Sequence, residues 1–131
     1  MKRRASCCCG RVQLTCLGEP VRISICHCFA CQKRTGTAFG YQARYPRDRI
    51  TDISGNATQY KRRADSGRTV TFNFCPSCGS TVYWEAENFP GLIAVAVGCF
   101  SDSDFPPPRY SVYEAHRHHW VSVPSEAEHS G

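Results

Sequence analysis

The segment Cys26-His27-Cys28-Phe29-Ala30-Cys31 places three thiols within six residues. Thiolates this close together can bind one soft metal ion, but three ligands do not complete the four-coordinate shell that zinc prefers. Catalytic zinc sites have this ligand count, because water or substrate takes the fourth position. The segment therefore predicts a metal centre that can bind a substrate, and the chain must fold around it.

Two further pairs of cysteines also have the spacing of metal ligands. One residue separates Cys7 from Cys9, two residues separate Cys75 from Cys78, and a glycine directly follows each pair. Glycine permits the tight turn that wraps backbone around an ion. Structural zinc sites use four such thiolates and are closed to substrate. We therefore predict that these four cysteines form one structural zinc site, which joins the N-terminal segment to the middle of the chain.

The fourth ligand of the three-cysteine segment is open to several interpretations. Cys16 or Cys99 could complete a second closed structural site, whereas His27 is less suited because both of its neighbours already point at the ion. The usual spacing of iron–sulfur ligands does not match. We favour the site with an open position, in which Cys16 and Cys99 are small buried hydrophobic residues and Cys8 faces solvent.

Two other groups of polar residues are candidates for contact with a substrate. Lys33 and Arg34 directly follow the three cysteines and could hold the carboxylates of an anionic substrate, although two solvated charges are an equally good interpretation. Three histidines, His116, His118 and His119, cluster late in the chain. The first two would share one face of a strand, and surface or partly buried positions are commoner for such histidines than catalytic ones.

Short alternating runs, separated by glycine and proline, predict an all-β domain of short antiparallel strands that spans residues 1–131. Its core would cover about 5–121, with a polar tail at 124–131 that frays. The predicted strands lie at 11–16, 21–25, 38–45, 50–53, 58–61, 69–74, 81–85, 92–97, 110–113 and 118–121. A polar connection is predicted at 64–67, and one or two helical turns could form near 28–34.

The composition favours metal binding in a reducing compartment. The 131 residues include ten cysteines, and no apolar run approaches the roughly 20 residues that a membrane span needs. The basic start of the chain lacks a following apolar stretch, so we expect a cytoplasmic protein. The formal charge is +5, but seven thiolates and two Zn²⁺ together contribute three negative charges and leave about +2. The charge is therefore a weak indication of nucleic-acid binding.

Several of these motifs together resemble one known family. The arrangement is similar to that of the glutathione-dependent formaldehyde-activating enzymes, which also include the centromere protein V-like domain, over about 5–121. The motifs that carry the resemblance are Cys7-x-Cys9-Gly10, Cys26-His-Cys28-x-x-Cys31-Gln-Lys-Arg-Thr-Gly36, Phe39, Phe74-Cys75-x-x-Cys78-Gly79-Ser80, Phe105-x-Pro107 and Arg117-x-x-Trp120. One departure is Tyr110-Ser111-Val112, where many members carry His-Ile.

The resemblance implies a tent-like all-β fold with two zinc ions. Cys7, Cys9, Cys75 and Cys78 match the cysteines of the family's structural site. The first segment described above, with Cys26, Cys28 and Cys31, matches the cysteines of its catalytic site.

The function that the resemblance implies is that of a carbon–sulfur lyase. A thiol such as glutathione would add to an aldehyde such as formaldehyde and form an S-hydroxyalkyl adduct, or the reverse. Three thiolates make zinc a poor Lewis acid, which independently favours delivery of a thiolate over activation of water. The alternative is a non-catalytic zinc module that engages protein or nucleic acid, for which the chain offers only Lys2-Arg3-Arg4 and Lys61-Arg62-Arg63.

Overall fold

The computed structural model describes residues 1–64 and 66–131, so Asp65, in the connection predicted at 64–67, lies outside the described residues. Within them, the chain forms eleven strands and one α-helix. The strands are β1 (Lys2–Ser6), β2 (Gln13–Leu17), β3 (Arg22–Cys26), β4 (Gly40–Pro46), β5 (Ile50–Ser54), β6 (Thr58–Arg63), β7 (Thr69–Phe74), β8 (Thr81–Ala86), β9 (Leu92–Ala96), β10 (Tyr110–Val112) and β11 (Glu128–His129). The helix is α1 (Phe29–Thr35), and 3-10 turns span Arg47–Arg49, Val97–Phe100 and Glu114–His116.

The strands form two sheets. The smaller has the order β1-β2-β5 and is antiparallel. The larger has the order β11-β10-β3-β4-β9-β8-β7-β6. It is antiparallel except that β10 pairs in parallel with both β3 and β11. The prediction of a mostly β fold with little helix is confirmed, and the large sheet is mixed rather than purely antiparallel.

The main hydrophobic core combines residues of both sheets. Leu14 and Cys16 of the small sheet are fully buried together with Tyr45 and Val95 of the large sheet. Strand residues alternate between the two faces of a sheet. The face of β9 opposite Val95 therefore carries Ala94, which belongs to a second, smaller apolar cluster. The large sheet thus has one face on the core and a second face available for a site.

A cross-strand row runs along this second face. Arg22 of β3 lies opposite Arg44 of β4, which lies opposite Ala94 of β9. Ala94 pairs in turn with Trp84 of β8, and Trp84 pairs with Phe72 of β7. The row places two cations at one end and an aromatic patch at the other.

The structure differs from the predicted strands at both ends of the chain. At the N-terminus, β1 was not predicted and forms an edge of the small sheet. Residues 118–121, predicted as an edge strand, form no strand, and His116 ends a 3-10 turn, so His116 and His118 do not share a strand face. The tail from 124 onward, predicted to fray, instead buries Ala127 and supplies β11. The backbone N–H of Glu128 donates to the carbonyl of Arg109 at 2.8 Å, and this bond anchors the short strand.

Gly55, in the turn between β5 and β6, gives a prediction about folding. Its φ is +88°, and an added Cβ would overlap the backbone carbonyl oxygen of Arg11. We expect Gly55→Ala to lower the free energy of unfolding by about 2–5 kcal/mol, because backbone strain and overpacking add together. Gly91→Ala is a matched control, since φ is +78° there but no atom lies within 4 Å of the added Cβ. Urea unfolding that showed equal losses for the two variants would contradict the packing argument.

Candidate metal centres and an adjoining cavity

The structure brings Cys7, Cys9, Cys75 and Cys78 together. Their four Sγ atoms lie within 4.8 Å of one another. The Sγ of Cys9 is 3.7 Å from that of Cys7 and 3.6 Å from that of Cys75. Sulfurs around a tetrahedral zinc with Zn–S bonds of about 2.3 Å lie about 3.8 Å apart, whereas a disulfide requires about 2 Å. The cluster therefore fits a four-thiolate zinc site.

Tight turns hold the two halves of this cluster. The N–H of Gly10 donates to the carbonyl of Cys7 at 3.0 Å, and the N–H of Gly79 donates to the carbonyl of Cys75 at 2.8 Å. Both glycines have positive φ, near +80°, which a residue with a side chain adopts only under strain. The sequence places glycine at the two positions that let the backbone turn around an ion.

Ser80 supports the same cluster in two ways. Its Oγ accepts a hydrogen bond from the backbone N–H of Cys8 at 3.1 Å, which links the two turns. Hydrogen bonds from the Ser80 hydroxyl and backbone hold the pKa of the Cys78 thiol down to about 5. Cys78 is therefore ready to act as a thiolate ligand, whereas the side chain of Cys8 faces solvent, as predicted.

The second cluster consists of Cys26, Cys28 and Cys31. Cys26 ends β3, Cys28 is the N-cap of α1, and Cys31 lies in the first turn of the helix. The three Sγ atoms lie within 4.8 Å of one another. A strand end that runs directly into a capped helix turn brings three closely spaced thiols to one point, and the set fits a zinc ion bound by three protein ligands.

The helix itself is short and depends on its caps. The Sγ of Cys28 accepts a hydrogen bond from the N–H of Cys31 at 3.4 Å. At the other end Gly36 adopts a left-handed conformation, and its N–H donates to the carbonyl of Gln32 at 2.8 Å. Seven residues are too few for a stable isolated helix. The caps therefore hold α1 in place, and a metal ion bound by Cys28 and Cys31 would add to their effect.

The candidates for a fourth ligand lie elsewhere. Among the described residues, no further Cys, His, Asp or Glu joins the three thiols. Cys16 is fully buried in the main core, and the thiol of Cys99 points at the carbonyl of Thr81 at 3.7 Å. His27 is fully buried, with its Nε2 2.9 Å from the hydroxyl of Ser111. Cys16, Cys99 and His27 therefore do not supply a fourth ligand, and the cluster has three protein ligands.

The three thiols influence one another electrostatically. Hydrogen bonds from Cys26 and Cys31 lower the pKa of the Cys28 thiol. The same contacts and burial raise the pKa of Cys26. One thiolate is therefore stabilised even without an ion, which suits a group of ligands that a cation completes.

A cavity of about 510 Å³ adjoins this cluster. Cys26, Cys28 and Cys31 all line it, as do the aromatic side chains of Phe72 on β7 and Trp84 on β8. Phe29, at the start of α1, stacks on His116 with ring centroids 4.1 Å apart, and both also line the cavity. The size is typical of small-molecule sites.

The two basic residues predicted to contact a substrate lie in different places. Arg34 lines the cavity, and its guanidinium lies 4.4 Å from the ring centre of Trp84 and 5.3 Å from that of Phe72. Burial lowers the pKa of its guanidinium, and the nearby thiols of Cys31, Cys26 and Cys28 partly offset this. Lys33 is exposed and is not among the residues that line the cavity.

The three histidines near the C-terminus lie in different places. The Nε2–H of His118 donates a hydrogen bond at 2.9 Å to Oε1 of Gln32 on α1, whereas His119 is exposed. The Nε2 of Gln32 also donates to the backbone carbonyls of His27 and His116. These contacts fasten the C-terminal segment to the helix.

Several cavity residues were not predicted from the sequence, and four of them lie side by side on β3 and β4: Arg22, Ser24, Gln42 and Arg44. Their signal was the alternation of polar residues on β3 and β4, which places them on the same face as Cys26. A polar strand face is normally expected to face solvent, and only the fold shows that this one lines a cavity.

In the described part of the chain, the helices are too short or too polar to cross a membrane.

Comparison with known proteins agrees with this arrangement. The model of the family described as "Glutathione-dependent formaldehyde-activating enzyme" matches residues 2–116. A crystal structure of a Rhodobacter sphaeroides protein is similar in fold, with a TM-score of 0.55 and 22% identity over 79% of this chain and 91% of that one. The sequence motifs, the two cysteine clusters and the family match lead to one conclusion: this chain belongs to the glutathione-dependent formaldehyde-activating enzyme family.

Proposed function

We propose that the protein is a zinc-dependent carbon–sulfur lyase that joins a thiol to an aldehyde and releases the two in the reverse direction. The observation that carries the proposal is the position of Cys26, Cys28 and Cys31, whose three thiols converge on the wall of a cavity. The family match supports the same reaction class.

The chemistry needs a reactive thiolate near neutral pH. A zinc ion held by the three cysteines would supply this by lowering the pKa of a substrate thiol. The thiolate sulfur then adds to the aldehyde carbon, so one C–S bond forms and the carbonyl π electrons move to oxygen. That oxygen takes up the proton that the thiol gave. The reverse reaction breaks the C–S bond and returns the proton to sulfur.

The residues around the thiols would orient the substrate. Trp84 and Phe72 add apolar surface to the cavity that the thiols line. Arg34 adds a positive charge that the protein leaves without an acidic partner among the described residues. A cation in this position stabilises a negatively charged sulfur or the developing alkoxide.

Exchange NMR of glutathione with formaldehyde tests the proposed reaction. The uncatalysed reaction occurs without protein, so the test compares exchange rates between free glutathione and its hydroxymethyl adduct with and without the zinc-loaded chain. We expect the exchange rate to rise in proportion to protein concentration. A rate that stays at the uncatalysed value at every concentration, with several aldehydes, would contradict the proposal.

Arg34→Gln tests the charge beside the thiols. We expect KM for the thiol to rise about tenfold, because the variant loses a charge-assisted interaction in a buried position. Lys33→Gln is the matched control, since the neighbouring residue on α1 is exposed and lies off the cavity. Steady-state kinetics in which both variants changed KM equally would show that overall charge, rather than position, causes the effect.

The alternative of a non-catalytic binding module has less support. Of the basic group Lys61-Arg62-Arg63 on β6, Arg62 lines the cavity, whereas Lys61 and Arg63 are exposed. The group therefore does not form one continuous surface for nucleic acid. Binding to nucleic acid that weakened steeply with salt would favour the alternative.

A further inference from the structure

The cavity beside the three-cysteine cluster is lined by arginine to an unusual extent. None of its described lining residues is Asp or Glu. The arginines in the lining are Arg22, Arg34, Arg44, Arg62 and Arg68. The ion pairs in the described part of the chain are Arg3–Glu19, Arg47–Glu85 and His129–Glu114, so none involves these arginines. Of these five, Arg44 is buried and Arg22 is half-buried. Buried charges are normally paired, which points to an anion other than the carboxylates of the described residues.

A buried part of the cavity wall is built from two neighbouring cross-strand pairs of β3 and β4. Arg22 pairs with Arg44, and Ser24 pairs with Gln42. Arg44 is 9% exposed, Gln42 4% and Ser24 1%. The Oγ of Ser24 accepts hydrogen bonds from Nε2 of Gln42 at 2.9 Å and from the Arg44 guanidinium at 3.4 Å. The two cross-strand pairs form a connected polar network on the cavity wall.

Two buried atoms of this network have no hydrogen-bond partner among the described residues. They are Nε of Arg22, which is a donor, and Oε1 of Gln42, which is an acceptor. A buried polar atom without a partner is costly and calls for an explanation. A free donor in one of two neighbouring guanidinium groups fits a carboxylate, and the nearby acceptor fits a substrate N–H. The pattern matches the charged end of an amino acid or peptide.

Aromatic rings hold the two guanidinium groups in position. Arg22 lies 3.9 Å from the ring centre of Tyr110 and 5.3 Å from that of Phe89. Arg44 lies 4.1 Å from the ring centre of Phe89. Burial and the nearby charge of Arg22 lower the pKa of Arg44 to about 10. The stacked arrangement is therefore fixed before a ligand binds, and an anion would relieve the repulsion between the two cations.

The strand register relates this pair to the thiols. Arg22, Ser24 and Cys26 alternate along one face of β3, so Cys26 lies four residues from Arg22. A strand rises about 3.3 Å per residue, which separates their Cα atoms by about 13 Å. The long arginine side chains can shorten this span. A substrate whose sulfur and carboxylate are several bonds apart can therefore contact both ends.

We propose that Arg22 and Arg44, with Gln42, form a subsite that binds the carboxylate end of a peptide or amino-acid thiol while its sulfur lies at the three-cysteine cluster. The position of the sulfur rests on the function proposed above. The subsite itself does not, because its residues bind the far end of the ligand and take no part in the C–S bond. It selects anionic thiols over neutral ones.

Isothermal titration calorimetry of the zinc-loaded protein tests the subsite with a matched pair of ligands. Glutathione and glutathione diethyl ester share the thiol and differ in the two carboxylates. We expect the wild-type protein to bind glutathione about 10- to 100-fold more tightly than the ester, which is the range for hydrogen bonds to charged groups. In Arg44→Gln this preference should fall to about threefold or less. Arg63→Gln, an exposed residue of β6 off the cavity, should keep the full preference.

The melting temperature shows that the variant is folded. Arg44→Gln removes one of two neighbouring buried cations, so we expect it to melt no lower than the wild type without ligand. If it melts lower, Arg22→Gln gives the same test at a less buried position. Equal affinity of the wild type for acid and ester would overturn the proposal, as would an Arg44→Gln variant that keeps the preference.

A third ligand separates this proposal from the reaction. S-methylglutathione keeps both carboxylates but cannot supply a thiolate. Loss of S-methylglutathione affinity in Arg44→Gln would support the subsite even if the protein failed to accelerate thiol–aldehyde exchange. Unchanged affinity for S-methylglutathione in Arg44→Gln would overturn the subsite even if exchange were catalysed.

Discussion

Cys28→Ser is expected to lower turnover about 100-fold or more and to leave the protein folded with about one zinc per chain. Loss of groups that merely orient metal ligands already lowers metal affinity or activity 10- to 100-fold, so loss of a ligand should have at least that effect. Serine is itself a favourable N-cap. Helix α1 therefore keeps the cap that Cys28 provides to the N–H of Cys31, and the substitution isolates the role of the thiol as a ligand.

Cys99→Ser is the control for this experiment. Cys99 is a half-buried thiol outside both clusters, and serine can keep its hydrogen bond to the carbonyl of Thr81. We expect the control to retain two zinc ions and wild-type turnover. Metal analysis and the exchange assay measure both quantities on the same samples. A Cys28→Ser protein with wild-type turnover would contradict the proposed mechanism.

Cys78→Ser is expected to lower the stability of the whole domain. The four-cysteine cluster joins the turn after β1 to the turn between β7 and β8. Structural zinc contributes about 10–16 kcal/mol in zinc-finger peptides, which is comparable to the total stability of a domain. We expect the melting temperature to fall by about 15 °C or more. Cys78 is exposed, so the loss reflects metal binding rather than a cavity in the core.

Cys8→Ser provides the matched control for the structural cluster. Cys8 is also exposed and lies directly between two proposed ligands, but its thiol is not part of the cluster. Its substitution should leave the melting temperature within a few degrees of wild type. A chelator should bring the wild type and Cys8→Ser down to the level of Cys78→Ser. If calorimetric scans gave Cys78→Ser the same melting temperature as Cys8→Ser, the four thiols would not bind a stabilising ion.

The strands and the cysteine groups were predictable because their signals are local. The alternation over Thr69–Phe74 predicts β7 with the observed bounds. The local spacing of the cysteines predicts the Cys7/Cys9 and Cys75/Cys78 pairs. That the two pairs share one ion, although Cys9 and Cys75 are 66 residues apart, was inferred because a closed site needs four ligands and each pair supplies two. The short helix was also foreseen near residues 28–34, where α1 forms.

The parts that were missed depend on long-range pairing. Strand β11 has two residues and exists only because β10 offers a parallel edge, so its own sequence carries no strand pattern. Arg22 and Arg44 meet across β3 and β4, from positions 22 residues apart in the sequence. A period of two shows which residues share a face of a strand, but not whether that face meets water, a core or a cavity.

X-ray absorption at the zinc edge, before and after addition of glutathione, tests the central claim most directly. Four thiolates at one ion and three at the other average 3.5 sulfurs per zinc, if the two clusters bind as the structure groups them. We expect the sulfur count to rise to 4 when glutathione is added, and S-methylglutathione to leave it at 3.5. A count of four before any thiol is added, or no change with glutathione, would contradict the account.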